Sequence, residues 1–299
     1  MLRPYDGPPR LIVGYDGSPD AQRALTDAAK IALARDAEIV LLNAVDDTIL
    51  NSAWGVVFDA DTIKSAATDL LSSAAADAVA LGLPAERIRT AVELGNPAAA
   101  LARHSEAASL IVVGRRSSQE GERAYVGSTA AGVVGTAVCP VIVVSADHPE
   151  PSHDTQLIGV GVNTAAKGTV ALEWALRQGE RSGAKVVVIS VARASVGRLM
   201  RPASVTPEVQ AELLEVTRGR IADMVAPIAA EHPGVDVDFE IEYGAPLDVL
   251  VTRSAELDLL VVEVQPSFPT YSIGGLTRGL LAHSSCPVAT LRWRDSHDS

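Results

Sequence analysis

A polar stretch between an apolar run and a helical pattern carries the residues of this chain best suited to hold an anion. It reads GRRSSQEGERAYVGSTAAG, from Gly114 to Gly132, and follows the run LIVV at 110–113. Glycine lets a backbone pass close to a ligand, and the amides at a helix start attract phosphate. This pattern makes candidate phosphate-binding residues of Gly114, Gly127, Ser128 and Thr129.

A second loop of suitable chemistry, GYDGS at 14–18, follows the first apolar run. An acid in one loop and backbone amides in the other would suit a nucleotide with its metal. Two structural alternatives stay open, because Asp16-Gly17-Ser18 and Gly127-Ser128-Thr129 could each serve only as a turn that caps a helix. Arg115 and Arg116 could hold a phosphate or form a solvated surface pair, since Glu120 and Glu122 share their loop.

The elements that position these loops alternate between short apolar runs and longer helical patterns. In the first half we predict strands near 11–15, 38–44, 88–94, 109–113 and 141–144, and helices near 19–35, 60–82, 97–107 and 128–137. Strands that are apolar throughout indicate a parallel sheet covered by helices on both faces. Ligands of such sheets bind beyond the carboxyl ends of the strands, where the strand order reverses.

The two halves of the chain repeat this pattern. LIVGYDGSPDAQRAL at 11–25 aligns with LIGVGVNTAAKGTVAL at 157–172, and TAVCPVIVV at 136–144 aligns with SSCPVATL at 284–291. The polar segment 145–156 is the natural linker, which predicts domains at 1–146 and 157–294. Cys139 and Cys286 take the same place in each half and are expected to be small buried hydrophobes.

Composition and charge narrow the possible functions. A net charge of -12 disfavours nucleic acid and membrane surfaces as partners. No apolar run is long enough to span a bilayer and the start lacks a signal-peptide core, so we expect a cytoplasmic protein. The histidines are not at metal-ligand spacing with other ligands. Neither a catalytic constellation nor a GxxxxGK phosphate loop is recognisable.

These residues resemble the universal stress protein family over both halves. The nucleotide-binding branch has GxxG, nine residues, then Gly followed by Ser or Thr; here Gly114-Arg115-Arg116-Ser117 precedes residues 118–126 and Gly127-Ser128, with Ser117 in place of the second glycine. The resemblance implies an α/β fold of two tandem doubly wound domains, each with five parallel strands. It also implies ATP, with magnesium, as the ligand.

By the same resemblance, the adenine and ribose side would be lined by Gly14, Tyr15, Asp16, Ala44 and Val45, and Asp16 could reach the metal through water. Family members commonly pair through their fifth strands, which implies an intrachain pseudo-dimer joined at 140–144 and 287–291; a further homodimer is possible. The leading hypothesis is a nucleotide-responsive stress regulator with an unknown protein partner. The alternatives are a structural adaptor without nucleotide and, less favoured, a slow ATP hydrolase.

The second half departs from the nucleotide-binding pattern at several positions. Asn163 replaces Asp16, Glu263 replaces Gly114, Pro266 lies near the second-glycine position, and Gly274-Gly275 replace Gly127-Ser128. A carboxylate a few ångströms from a phosphate costs on the order of 1–4 kcal/mol. We therefore expect at most one nucleotide per chain, in the first half, unless Phe268 and Tyr271 line a different site.

Overall fold

The chain folds into two compact units, described here from a computed structural model. The structure describes residues 9–45, 60–117, 126–150, 156–163, 168–192, 206–264 and 273–292. The first unit comprises Met1–His148, Val264–Ala282 and Ala289–Ser299, and the second comprises Pro149–Glu263 and His283–Val288. The first unit therefore includes chain segments from both sequence halves.

The first half alternates strands and helices in the predicted order. Its elements are β1 (Arg10–Gly14), α1 (Pro19–Arg35), β2 (Glu38–Val45), α2 (Ala60–Ala80), β3 (Ile88–Leu94), α3 (Pro97–His104), β4 (Leu110–Gly114), α4 (Ser128–Thr136) and β5 (Val141–Val144). The third helix is shorter than predicted, because a 3-10 turn at Ser105–Ala107 follows it. Its C-terminal residue His104 is followed by Ser105, whose hydroxyl accepts the Val138 N–H at 3.0 Å.

The second half repeats the series. Its elements are β6 (Leu157–Gly161), α5 (Thr169–Ser182), β7 (Lys185–Ala192), α6 (Pro207–Ala229), β8 (Val237–Tyr243), α7 (Pro246–Arg253), β9 (Leu259–Val264), α8 (Gly275–His283) and β10 (Val288–Arg292). The local bonds repeat as well: the hydroxyl of Ser254 accepts the Ser285 N–H at 2.8 Å, as Ser105 accepts from Val138. The repeat seen in the sequence is therefore a repeat of structure.

The sheet of the first unit has the strand order β3-β2-β1-β4-β5-β10. Strands β1 to β5 are parallel, with Leu11 of β1 opposite Ile39 of β2 and Leu110 of β4. These three side chains are fully buried, as expected for strands with helices on both faces. The strand order reverses between β1 and β4, which places the expected ligand position at the carboxyl ends of these strands.

Helix α1 begins beside the expected ligand position, and local residues determine where it starts and ends. Ser18 caps its start, with the hydroxyl accepting the Ala21 N–H at 3.1 Å, and Pro19 occupies the first helical position. The helix ends at Asp36, whose φ of 53° is left-handed. Its buried stripe packs on the sheet and consists of Ala21, Ala24, Leu25, Ala28, Ala29 and Ala32. The small side chains allow helix and sheet to approach closely.

Strand β10 lies next to β5 in the first unit, as the sequence predicted. The Thr290 hydroxyl donates to the Val141 carbonyl at 3.2 Å, and the Arg292 guanidinium donates to the Thr136 carbonyl at 3.3 Å. An edge strand exposes unpaired backbone groups, and β10 covers those of β5. The twofold relation between the two copies stays a prediction.

In the second unit, the strand order β9-β6-β7-β8 is parallel throughout and matches that of the first half. The Cys286 thiol of this unit and the Cys139 thiol of the first are buried, as expected for small hydrophobes. Burial raises the pKa of each to about 12, so both stay protonated near neutral pH. None of the helices in the described part of the chain is long and apolar enough to cross a membrane.

Close packing of α4 on α3 yields a stability prediction. A Cβ placed on Gly132 of α4 would lie 2.6 Å from the Ala98 Cβ of α3, so Gly132→Ala forces these helices apart. We expect a loss of about 1–3 kcal/mol in the free energy of unfolding, measured by urea denaturation. Gly219→Ala, within α6, is the matched control, because its Cβ meets nothing within 4 Å among the described residues. The control should gain up to about 1 kcal/mol, and equal stability of the two variants would contradict this packing.

Candidate functional site

A cavity of about 430 Å³ opens in the first unit at the carboxyl ends of β1, β2 and β4. The starts of α3 and α4 form its other wall. All the residues that the sequence predicted for the nucleotide site line it: Gly14, Tyr15, Asp16, Ala44, Val45, Gly114, Arg115, Ser117, Gly127, Ser128 and Thr129. Sequence reasoning missed several other lining residues: Ser18, Ala21, Leu42, Asn43, Asn96, Pro97, Ala98, Leu101, Val113 and Ala130.

The loop after β1 is held by its own side chains. The Asp16 carboxylate accepts the Ser18 N–H at 3.0 Å, and Gly17 between them has a φ of 78°, which favours glycine. Ser18 in turn caps α1. The predicted cap of α1 is therefore present, and Asp16 also lies in the wall of the cavity, so the cap and a ligand contact are compatible.

Tyr15 and Asn43 fix the wall that lies between β1 and β2. The Tyr15 hydroxyl donates to Gln22 Oε1 at 2.6 Å, and the Asn43 amide donates to the Tyr15 carbonyl at 2.7 Å. Burial, together with the negative charges of Asp77 and Asp16, raises the pKa of Tyr15. The phenol therefore remains a neutral hydrogen-bond donor at physiological pH.

Gly114 is required by helix packing. A Cβ on Gly114 would lie 2.8 Å from the Asp20 Cβ and 2.9 Å from the Asp20 carbonyl carbon, in the first turn of α1. The sequence pattern predicts that this glycine lets the backbone pass close to a ligand. The structure shows that the close neighbour is α1, although the glycine also borders the cavity.

The Asp20 carboxylate is the centre of this contact, and sequence reasoning missed it. Its side chain is only 4% exposed. One oxygen accepts the Arg116 N–H at 3.0 Å, and the other accepts the Ala146 N–H at 2.8 Å and the Ser145 hydroxyl at 3.4 Å. Asp20 thus ties the loop after β4 and the chain after β5 to the start of α1. The sequence has no local signal for this contact, because Asp20 and Arg116 lie 96 residues apart.

Arg115 and Arg116 belong to the same network. The Arg116 guanidinium donates to Asp147 Oδ2 at 2.7 Å and to Asp20 Oδ2 at 3.4 Å. The Arg115 guanidinium donates to the Ser145 hydroxyl at 2.8 Å, to Asp147 Oδ2 at 3.3 Å and to the Ala282 carbonyl at 3.2 Å. The alternative of a solvated surface pair is therefore wrong for Arg115, whose side chain is 13% exposed.

The surroundings of the two arginines shift their pKa values in opposite directions. Burial and the neighbouring Arg116 lower the pKa of Arg115, against the opposing effect of Asp20 and Asp147. Burial also disfavours the charge on Arg116, but hydrogen bonds and ion pairs with Asp20 and Asp147 outweigh it and raise the pKa of that guanidinium. Both remain cationic at neutral pH.

The start of α4 is the feature of the cavity best suited to an anion. Gly127 precedes the helix without a side-chain cap from the described residues, whereas Ser18 caps α1 and the Asn96 side chain caps α3, accepting the Ala99 N–H at 3.1 Å. Backbone amides of a first helical turn have no partner within the helix. Thr129 and Ala130 therefore present first-turn amides at the cavity wall, in a helix that no side chain of the described residues caps.

Ser117, where the family pattern has its second glycine, causes no backbone conflict. Among the residues that the structure describes, Asp36 is the one non-glycine with a positive φ, so Ser117 adopts a conformation open to any residue. The loop closes on itself where the Gly127 N–H donates to the Arg115 carbonyl at 2.8 Å. Residues 118–125, with Glu120 and Glu122, lie outside the described part.

In the second half, the carboxylate that replaces Gly114 is bound to the protein itself. Glu263 Oε2 accepts the Gly168 N–H at 3.0 Å, directly before α5. The strand end that is a glycine in the first half thus carries the carboxyl side chain of Glu263 in the second, and this side chain is bonded to the start of α5. Pro266, Phe268 and Tyr271 lie outside the described residues. Within the described ranges, no group of three or more His, Cys, Asp or Glu side chains is arranged to hold a metal.

The network around Asp20 yields a stability prediction. Asp20→Ala leaves the Arg116 and Ala146 amides without their acceptor, and we expect a loss of about 1.5–3 kcal/mol in the free energy of unfolding. Asp147→Ala removes an exposed carboxylate from the same network and should cost less than about 1 kcal/mol. Chemical denaturation of both variants checks the contrast. Equal losses would mean that Asp20 does not hold the loops together.

Comparison with known proteins agrees with the fold. The model of the universal stress protein family matches residues 9–145 and again 155–292. A universal stress protein of Mycolicibacterium smegmatis is 26% identical over 287 residues, which cover 93% of this chain and 92% of that protein. One from Mycobacterium tuberculosis is 32% identical over 150 residues, covering 50% of this chain and 53% of that protein.

Solved structures show the same architecture. The crystal structure of a universal stress protein from Archaeoglobus fulgidus superimposes with a TM-score of 0.72 at 19% identity, covering 95% of this chain and 98% of that one. A functionally unknown protein from Pseudomonas aeruginosa gives 0.65 at 14% identity, covering 96% and 94%. At such identities the likeness concerns the fold alone. With both halves matched by the family model, the chain belongs to the universal stress protein family, as a tandem two-domain member.

Proposed function

We propose that this protein is an adenine-nucleotide-binding universal stress protein, which acts in the cytoplasm as a ligand-responsive regulator of a protein partner. The ligand is ATP, with magnesium, bound in the first-unit cavity. In this proposal the chain works by binding and not by catalysis. The observation that carries it is that α4 begins in the wall of the cavity, at Gly127, with no side-chain cap from the described residues.

The size and lining of the cavity support a ligand of this class. A volume of about 430 Å³ falls in the usual range of small-molecule sites, roughly 300–1,000 Å³. The apolar side chains of Leu42, Val45 and Leu101 line it, and so does the glycine-containing start of α4. An aromatic base suits the apolar side chains, and a phosphate suits the helix amides.

Charge in the site favours a nucleotide that carries magnesium. The two arginines are already paired with the carboxylates of Asp20 and Asp147, so the network has little net positive charge to offer. The helix dipole contributes only about 0.3–1 kcal/mol, up to about 2. A bound magnesium ion would neutralise much of a triphosphate, and Asp16 in the cavity wall could accept a hydrogen bond from the water of that ion.

The anion site can be tested at Ser128, the exposed first residue of α4. Ser128→Asp puts a carboxylate at the helix start, where it favours the helix by about 0.3–1 kcal/mol but repels phosphate. We expect the melting temperature of the ligand-free protein to hold or rise. ATP binding should weaken about tenfold or more in titration calorimetry, because a like charge nearby costs about 1–4 kcal/mol.

Ser128→Asn is the matched control, since it has nearly the same shape as Asp without the charge. Its ATP affinity should stay within about threefold of wild type, a difference below 1 kcal/mol. Equal ATP affinity of Ser128→Asp and Ser128→Asn would exclude α4 as the phosphate site. If the wild type binds no adenine nucleotide at all, the adaptor alternative gains support.

The number of sites is a separate prediction. The second half carries the Glu263 carboxyl group at the strand end that is a glycine in the first half. A carboxylate near phosphate is unfavourable, so we expect the full chain to bind one ATP. Titration calorimetry with ATP and magnesium should give a site number near one. Ser128→Asp should weaken all of the ATP binding that calorimetry detects, because it belongs to one site. A site number near two, or a second class of binding that survives in Ser128→Asp, would contradict the assignment to the first half.

A further inference from the structure

Asp147 holds both arginines of the cavity wall from outside the cavity. It lies three residues after the end of β5, and its side chain is 69% exposed. One carboxylate oxygen, Oδ2, accepts from Arg116 at 2.7 Å and from Arg115 at 3.3 Å. Both arginines line the cavity, and Asp147 does not.

The two carboxylates of this network differ in how firmly they are held. Asp20 is buried and receives two backbone N–H groups and a hydroxyl in addition to Arg116. The Asp147 carboxylate is in contact with solvent and accepts no backbone N–H group among the described residues. It shares the single proton of the Ser145 hydroxyl with Asp20, each at 3.4 Å. An ion pair whose carboxylate is exposed to solvent is weak, because water screens it. Asp147 is therefore the partner that the arginines can exchange at little cost.

The two arginine side chains can donate hydrogen bonds to a further acceptor. Arg115 Nε is buried and has no hydrogen-bond partner among the described residues. The Arg116 side chain is 32% exposed, so its guanidinium has space to turn. Arginine pairs with phosphate through two parallel hydrogen bonds, which are stronger than bonds between neutral groups.

We propose that Asp147 is a built-in competitor of the ligand's phosphate for Arg116 and Arg115. In the ligand-free protein the Asp147 carboxylate neutralises the arginines; on binding, the phosphate replaces it and the Asp147 side chain is released to solvent. The contact lowers the affinity for anionic ligands and couples ligand binding to the segment after β5. This inference rests on the proposed function, because it concerns the same cavity.

Removal of Asp147 should therefore tighten binding. The test measures the dissociation constants of ATP with magnesium, AMP and adenosine by titration calorimetry on the full chain, for wild type and Asp147→Ala. We expect ATP and AMP to bind about three- to tenfold more tightly to the variant, as the loss of a weak competing ion pair allows. Adenosine, which has no phosphate, should bind equally to both proteins.

Two further variants separate competition from a change in overall charge. Asp36→Asn removes an exposed carboxylate paired with Arg87 at the far end of α1, so it changes the net charge equally and should leave every affinity unchanged. Arg116→Gln should weaken phosphate binding, and Asp147→Ala added to it should recover little of the gain. A gain that persists in full without Arg116 overturns the proposal.

The outcomes distinguish this proposal from the proposed function. Measurable ATP binding with equal or weaker affinity in Asp147→Ala overturns the competition and leaves the nucleotide site in place. An equal gain for adenosine and ATP also overturns it, because competition requires a phosphate. If neither protein binds any of the three ligands, the proposed function fails and this inference fails with it.

Discussion

The buried Asp20 carboxylate is the constraint on which the first-half site depends. It stands in the first turn of α1 and accepts hydrogen bonds from the backbone after β4 and after β5. The close approach that this requires leaves no room for a Cβ at Gly114. Because the loop after β4 leads to the start of α4, an anchor at its beginning also helps to set where the amides of α4 can meet a ligand.

In the second half, an acid again links a strand end to a helix start. This acid belongs to the strand end and not to the helix. There the strand end supplies the carboxylate, and Glu263 accepts the N–H of Gly168 before α5. In the first half the acid comes from the helix, and the strand end is a glycine. The choice of side decides whether the strand end carries a glycine, as at Gly114, or a carboxyl side chain, as at Glu263. Of the two repeated halves, the first therefore contains the candidate site, and the second uses its acid to bind its own helix start.

The sequence predicted most of the fold, because the apolar runs, the glycine breaks and the repeat all pointed to the same parallel sheet. It also predicted the residues that meet in the cavity, since loops after parallel strands gather at one edge. It did not predict the role of Asp20, nor that Arg115 and Arg116 share Asp147. Those contacts join residues far apart in the chain, and a buried acid has no local pattern that distinguishes it from an exposed one. The sequence placed Gly114 beside the cavity, as the structure does, but the group packed most closely against this glycine is α1 and not a ligand.

We have proposed that the first-half cavity holds an adenine nucleotide with a phosphate at the start of α4. A crystal structure of the full chain grown with ATP and magnesium would show whether this ligand is bound there. We expect one nucleotide per chain, with its phosphates within hydrogen-bond distance of the amides of Ser128, Thr129 or Ala130, and no nucleotide at the strand end that carries Glu263. Nucleotide bound in the second half, or a first-half cavity that stays empty at saturating ATP, would contradict it.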